Sequence, residues 1–428
     1  MHILIVTDQH ADSLGGVQVS IRLQRRFLER AGHTVTVVAP RMHRQHPGDA
    51  GYLDLPSVPV TVDREYSLTL PGRGTDRFID ARIPAHAPVD LVHVQGDFWG
   101  ALIGYRFAER HGLPVVHTMH NHMEFGIEQV VPFPRLAIRG LLWWQHRVLR
   151  KRSTLAPSAW SYLNELALRA DAVTAPSGHF ARLLEQKGVA PHVEVIWNGV
   201  DDEVVEQVLA RRDGGEAAES AGPEPEPKPK PELTGAAAVV GALVSPRERR
   251  PIFLWTGRMS AEKRLMEFLE AVRLADADAE YRLYGGGLLL AKARAFVERA
   301  EAAGLRSTVR FMGKVPYADS LAGIRAADAL VQTSIGFETQ GMTVFEAAAV
   351  GTPSIVSDPN IAGELPPGVF RQPQDGSVRA LADALVAAAA DIRSGSWPTI
   401  VPAEAIEFRQ SYQTGRMLRL YESVLPSR

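Results

Sequence analysis

Residues 2–7, His-Ile-Leu-Ile-Val-Thr, are followed by Gly15-Gly16, by a stretch from Val17 to Ala31, and by Thr34-Val-Thr-Val-Val-Ala39. The spacing of the apolar side chains tells these pieces apart. The first and last are short, continuous, β-rich runs, whereas the middle one repeats its apolar residues every three or four positions and follows a glycine break. Strand, glycine turn, helix, strand is a βαβ unit, and a strand apolar on both faces belongs to a parallel sheet covered on both sides. Similar runs at Leu91–Val94, Val115–Thr118, Ala172–Ala175 and Val193–Ile196 extend that sheet through the first half of the chain.

Between residues 212 and 235 the composition changes, with Pro223-Glu-Pro-Glu-Pro-Lys-Pro-Lys-Pro231 at its centre. A run so poor in apolar side chains has little to bury, and its prolines favour an extended, solvated chain. It is expected to be a disordered insertion or linker. The α/β pattern then restarts, with strands predicted at Ile252–Thr256, Tyr281–Tyr284, Val309–Met312, Ala329–Gln332 and Ser354–Val356, and a helix from about Ala261 to Leu274. The reading is therefore an α/β protein with two Rossmann-like domains and a cleft between them. Their expected extents are residues 1–200 and 250–400, followed by a C-terminal helical segment, 401–428.

A chain of 428 residues is long enough for two such cores. With 47 Lys and Arg against 49 Asp and Glu there is no global electrostatic case for nucleic acid as a partner. There is no cysteine, which removes disulfides, thiolate metal sites and a thiol nucleophile together. The apolar start ends at Asp8 without the features of a signal peptide, and no stretch reaches the roughly 20 apolar residues of a membrane helix. A cytoplasmic protein is expected, peripheral on the inner face of the plasma membrane if the basic segment described below meets lipid.

Chemistry is concentrated in Gly336-Phe-Glu-Thr-Gln-Gly-Met-Thr-Val-Phe-Glu346. Gly341 allows a close backbone approach, a helix is predicted from about Met342, and Glu346 falls one turn inside it. The free amides and positive dipole end of such a helix suit a diphosphate, and Glu338 and Glu346 flank it. Two glutamates at this spacing on their own describe any solvated loop and helix face. Arg258 and Lys263 follow a strand's carboxyl end, where open α/β sheets bind ligands. Val115-Val-His117-Thr-Met-His120-Asn-His122 places three histidines at another strand end; their spacing is unlike that of helix-borne zinc sites, and a buried core histidine is the plain alternative. The pair Asp276 and Asp278 reads as a solvated connection, so no metal site is expected.

These segments together resemble the glutamate-x7-glutamate signature and glycine loop of the retaining glycosyltransferases of family four, which have the glycosyltransferase B (GT-B) fold. The resemblance covers most of the chain. It implies an enzyme that takes a hexose from a nucleotide diphosphate-sugar, of the UDP-glucose or GDP-mannose type, without a cofactor or metal. It assigns Gly16, Arg258, Lys263, Gln340, Gly341, Met342, Thr343 and Glu346 to the donor, Gln18 to the acceptor, and His120 and Glu338 to the reacting sugar, with His117 as the alternative histidine. Tyr284-Gly-Gly-Gly-Leu288 departs from the family's Gly-Asp-Gly-Pro-like turn.

The wording Glu338-Thr-Gln-Gly-Met-Thr343 and Val116-His-Thr-Met-His120 is similar to that of diacylglycerol glycosyltransferases, and implies a lipid acceptor. Residues 135–152 independently combine six Arg and Lys with Trp143 and Trp144, as in a helix lying on an anionic membrane. An ordinary amphipathic domain helix has the same pattern. A soluble or polysaccharide-precursor acceptor, a phosphorylase-like or epimerase activity, and a non-catalytic nucleotide-sugar-binding protein are the rival readings. The joint presence of Glu338, Glu346, Arg258, Lys263 and His120 speaks against the last.

Overall fold

The computed structural model describes the chain outside residues 14, 45–47, 62–63, 84–86, 125–126, 128–132, 150–152, 212–249 and 427–428. The expected 212–235 insertion lies outside the described residues. Thirteen strands form two parallel sheets. In the first are β1 (His2–Thr7), β2 (Thr34–Pro40), β3 (Tyr52–Leu55), β4 (Leu91–Gln95), β5 (Val115–Thr118), β6 (Ala172–Ala175) and β7 (Glu194–Val195), in the order β3-β2-β1-β4-β5-β6-β7. In the second are β8 (Ile252–Thr256), β9 (Glu280–Tyr284), β10 (Thr308–Gly313), β11 (Ala329–Gln332), β12 (Ser354–Val356) and β13 (Phe370–Arg371), ordered β10-β9-β8-β11-β12-β13. Both are doubly wound sheets that reverse direction beside their first strand. The crevices at those reversals lie at the carboxyl ends of β1 and β4, and of β8 and β11, where such sheets bind ligands.

Period-two alternation explains why β1 is apolar throughout. Leu4 and Val6 enter one buried cluster with Val92, Val94 and the helix α2 (Trp99–His111), while Ile3 and Ile5 enter the opposite cluster with helix α1 (Gly16–Arg30). Each such side chain stabilises the fold by about 1.5–3 kcal/mol relative to exposure. Three further helices matter for function: α3 (Pro134–Val148), α4 (Gly178–Gln186) and α5 (Met342–Ala349).

The chain crosses between the sheets twice. Helix Asp202–Ala210 sends Val205 and Val208 into the core that holds Leu254, Leu330 and Phe345 of the second sheet. The last helix, α6 (Gln410–Val424), instead buries Met417 and Tyr421 with Ile3, Ile5 and Ile21 of the first. The two crossings touch at Gly199, where a Cβ would lie 2.4 Å from Gln410 Cα, and at a bridge between Val200 and Arg409.

Two expectations are corrected. The predicted helix from Ala261 to Leu274 is split into a 3-10 turn, Ala261–Lys263, and a helix, Leu265–Ala275, by Arg264 at φ 52°. The turn is held because the Thr333 hydroxyl donates to the Lys263 carbonyl at 2.6 Å, while the Arg264 guanidinium donates to the Gly376 carbonyl at 2.7 Å. Trp143 and Trp144 do not share a face: Trp143 is exposed, whereas Trp144 packs on the first-sheet core. Adjacent residues of a helix point about 100° apart, so only one can face lipid.

Candidate active site

The loop after β1 delivers Gly15 and Gly16 to the start of α1. Gln18 folds back so closely over Gly15 that a Cβ there would stand 2.2 Å from its Oε1, and the Gln18 side chain is buried. Gly16 differs. A Cβ on Gly16 would meet no protein atom within 4 Å, so nothing in the protein's own packing asks for glycine there. That open space lies in front of a helix N-terminus, the place for an incoming anion.

Across the cleft, the split at Arg264 aims Lys263 at Glu338. The Lys263 ammonium and the Glu338 carboxylate form an ion pair, the Ser334 hydroxyl donates to the same carboxylate at 2.8 Å, and the Phe337 ring lies 5.3 Å from the ammonium. Arg258 is exposed and makes no ion pair among the described residues. Helix α5 begins at Met342 behind Gly341, with Thr343 in its first turn and Glu346 one turn further. Burial raises the Glu346 carboxyl to about 7, against the opposing pull of the Tyr317 hydroxyl. Lys263, Glu338 and the head of α5 therefore lie together, and Arg258 is exposed on the loop after β8 that leads to Lys263.

The triple glycine 285–287 has a structural cause. The Met259 amide donates to the Gly286 carbonyl at 2.9 Å and the Leu289 amide to the Met259 carbonyl at 3.0 Å, so this turn lies backbone to backbone on the loop that bears Arg258. The flexible side chain of Lys314 lies over Gly286, with Cε 3.3 Å from a Cβ built there.

On the first-sheet side, the three histidines have separate surroundings. His117 is fully buried and commits both ring nitrogens, Nδ1 to the Tyr105 hydroxyl at 2.9 Å and Nε2 to the Gly96 carbonyl at 3.0 Å. His122 packs against the Trp160 and Phe180 rings. His120 sits past the end of β5, with Nε2 3.1 Å from Gln95 Oε1 and its backbone amide donating to Asp97. Burial pushes its ring down to about 4, with Asp97 pulling the other way, so the imidazole is neutral at neutral pH. Among the described residues, no group of three or more His, Asp or Glu is placed to hold a metal ion.

Sequence reasoning missed Asp8 and Asp97, each just beyond an apolar strand. Asp97 accepts from the Asn121 amide at 3.0 Å and side chain at 2.7 Å, as well as from the His120 amide, and so fixes the turn carrying His120. Asp8 accepts from the amides of Asp97 and Gly100, both at 2.8 Å, at the start of α2. Burial, with the Asp97 charge beside it, raises Asp8 to about 7. Their one signal was position: each marks the carboxyl end of a strand beside the reversal of the sheet.

The loop carrying Glu338 also reaches across to the first sheet. The His179 ring nitrogen Nε2 lies 3.1 Å from the Glu338 carbonyl, and the Ser177 hydroxyl donates to the Thr339 carbonyl. The Gln340 side chain donates to the Asn198 carbonyl and accepts from its amide, both at 3.0 Å. Glu364 caps the other way, accepting from the Gly178 and His179 amides at the head of α4, at 2.8 and 2.7 Å. Burial raises that carboxyl, but the His179 ring and the two amides outweigh it and hold it below its ordinary value.

Two doubly wound domains facing each other across a cleft, bridged by the loop that bears Glu338, the ion-pair partner of Lys263, make up the GT-B fold. The Anabaena protein HepE, solved in complex with UDP-glucose, has that fold: it superposes with a TM-score of 0.59 at 15% identity, covering 99% of this chain and 100% of that one. The model of Glycosyltransferase Family 4 matches residues 14–204, and that of Glycosyl transferases group 1 matches residues 250–391. The chain belongs to glycosyltransferase family four. Among curated relatives, the alpha-monoglucosyldiacylglycerol synthase of Streptococcus pneumoniae is 26% identical over 83% of this chain and 70% of its own length. The phosphatidyl-myo-inositol mannosyltransferase of Mycobacterium tuberculosis is 24% identical over 100% of this chain and 98% of its own.

Proposed function

We propose that this protein is a retaining hexosyltransferase that works without a metal and moves a hexose from a nucleotide diphosphate-sugar to a hydroxyl of a diacylglycerol-type lipid. The observation that carries this reading is the grouping of Lys263, Glu338 and the head of α5, with Arg258 exposed on the loop that leads to Lys263. There the two cations and the first-turn amides receive the negative charge that develops on the leaving diphosphate, which is the work a metal would otherwise do. Glu346 accepts from the ribose and Glu338 from the sugar, to which Lys263 yields it when the phosphate arrives. Gly16 gives the phosphate room opposite, and neutral His120 contacts the hexose. The bond from the anomeric carbon to the phosphate oxygen breaks, the acceptor oxygen bonds to that carbon on the same face, and the departing phosphate oxygen takes the acceptor's proton.

The named lipid acceptors of both relatives support a lipid here, and an alpha product is what retention yields from an alpha-linked donor such as UDP-glucose. The purified protein, given UDP-glucose or GDP-mannose and diacylglycerol-bearing vesicles in EDTA, is expected to make an alpha-linked glycolipid. Activity lost in EDTA and restored by Mg²⁺ would defeat the metal-free reading. Transfer to soluble acceptors alone would defeat the lipid.

Helix α3 supplies the surface that supports membrane docking. Phe133, Leu136 and Trp143 are exposed beside Arg135, Arg139 and Arg147, and the Arg147 guanidinium lies 4.3 Å from the Trp143 ring centre. Arg150, Lys151 and Arg152 of the same basic segment lie outside the described residues. No helix among the described residues is long and apolar enough to cross a membrane. Each basic side chain contributes about 1 kcal/mol at an anionic surface, in a salt-dependent way. Trp143→Ala is expected to weaken sedimentation with anionic liposomes without altering Tm, and Trp144→Ala to lower Tm. A wild-type protein that ignores anionic vesicles at low salt would remove the docking surface.

A further inference from the structure

Beneath His120 runs a line of polar side chains to which the proposed donor and acceptor contacts give no part. Gln24 of α1, His93 and Gln95 of β4, Thr118 of β5 and Tyr421 of α6 are all buried, with His93 and Tyr421 fully so. Buried polar groups are costly unless each finds a partner, so their donors and acceptors must be shared out among themselves. His93 places Nδ1 2.6 Å from the Tyr421 hydroxyl and Nε2 2.7 Å from Thr118 Oγ1. The Gln24 side-chain amide donates to the Tyr421 oxygen at 3.3 Å, and that of Gln95 donates to Gln24 Oε1. Gln95 Oε1 then faces His120 Nε2.

These contacts have a common direction. His93 Nδ1 is faced at 3.5 Å by the side-chain nitrogens of Gln24 and Gln95, which can only donate, so Nδ1 carries the lone pair and Tyr421 gives its proton to it. His93 therefore carries its own proton on Nε2 and donates to Thr118, whose oxygen lies 2.6 Å from Thr174 Oγ1. At the other end the Gln95 side-chain nitrogen donates to Gln24 and faces His93 Nδ1, so its oxygen is turned to His120 and accepts from that ring, which must be protonated on Nε2. Turning any single member around sets two donors or two acceptors face to face. The line can only reverse as a whole. Burial keeps the ends fixed in charge, holding Tyr421 well above and His93 well below its ordinary value, so both are neutral.

We infer that Tyr421, on the helix that returns from the second domain, is a positioning residue that fixes His120 in the Nε2-protonated tautomer and so leaves Nδ1 as the lone pair for the bound sugar. The inference rests on the reading of His120 as a sugar-contacting group. A histidine presenting a lone pair accepts from a hydroxyl, whereas the other tautomer donates, and the two recognise different partners. The hydroxyl of one tyrosine thereby acts at a distance, through His93, Gln24 and Gln95.

Tyr421→Phe keeps the ring and removes only the hydroxyl. Nitrogen NMR of the protein with labelled histidine is expected to show a pyridine-like Nδ1 and a pyrrole-like Nε2 for His120 in the wild type. In Tyr421→Phe the two resonances should move toward each other as the tautomers mix. The variant's kcat should fall by about tenfold or more while the donor KM stays within about twofold, because geometry at the sugar is lost and nucleotide binding is not. Gln24→Met, which cuts the same line in its middle, should reproduce the resonance change and supplies the test should Tyr421→Phe not fold. Unchanged His120 resonances in the folded variants, with only Tm lowered, would overturn the inference. Full activity in His120→Gln would instead sink the role of His120, and would do so whatever the resonances show.

Discussion

Lys263→Ala is expected to lower kcat/KM for the donor by roughly 10- to 150-fold, the equivalent of one charge-assisted phosphate contact of about 1.5–3 kcal/mol. The ammonium does two jobs in turn. It neutralises Glu338, and in the proposed mechanism the donor's diphosphate then competes for it. Its loss leaves Glu338 with the Ser334 hydroxyl as a partner, so the fold should persist while the loop's charge goes uncompensated. Arg258→Ala should lower kcat/KM by a similar factor and leave Tm unchanged, since that side chain is exposed and forms no ion pair among the described residues. Lys263→Ala combined with Glu338→Ala should cost less than the two changes added, because the residues touch. Steady-state kinetics over the donor concentration measure all of this, and unchanged kcat/KM in both cation variants would dispose of the diphosphate site.

Gly285→Ala is expected to be the most damaging small change in the second domain. Gly285 sits at φ 125°, and a Cβ there would stand 2.0 Å from the Gly257 carbonyl oxygen, which is backbone and cannot swing aside. Strain at such a φ costs about 1–3 kcal/mol and the steric overlap about 1–3 more. The cost falls on the loop that carries Arg258, so Tm and donor affinity should drop together. Gly286→Ala is the control: the side chain of Lys314 that it would meet is exposed and can move. Thermal melts with and without UDP would separate the two, and equal tolerance of both substitutions would show that the loop does not depend on this contact.

Much of this architecture could be read from local spacing. The strands were legible because parallel strands buried on both faces are apolar runs, and the head of α5 because Gly341 and the apolar residues after it mark a helix start. What escaped notice was long-range. No glycine announces the left-handed turn at Arg264, which is held by Thr333 and Gly376 rather than by its own neighbours. The sequence shows Trp143 and Trp144 as equals, since α3 has apolar residues on both sides, and only packing separates them. Asp97 and Tyr421 have no motif at all. Tyr421 lies 328 residues from His93, and an isolated tyrosine in a C-terminal helix carries no sign of what it will touch.

Ser177, His179 and Asn198 of the first domain hold the carbonyls of Thr339 and Glu338 and the side chain of Gln340, and all of these belong to the loop bearing Glu338. Any parting of the two sheets would break those hydrogen bonds together and let water into the cleft. The loop is thus fully braced only while solvent is excluded. In the proposed reaction an open molecule would then be a poor hydrolase of its own donor, because wetting the anomeric carbon and disarming the site would be one motion. Thrift with an activated sugar would then follow from where these bonds are placed.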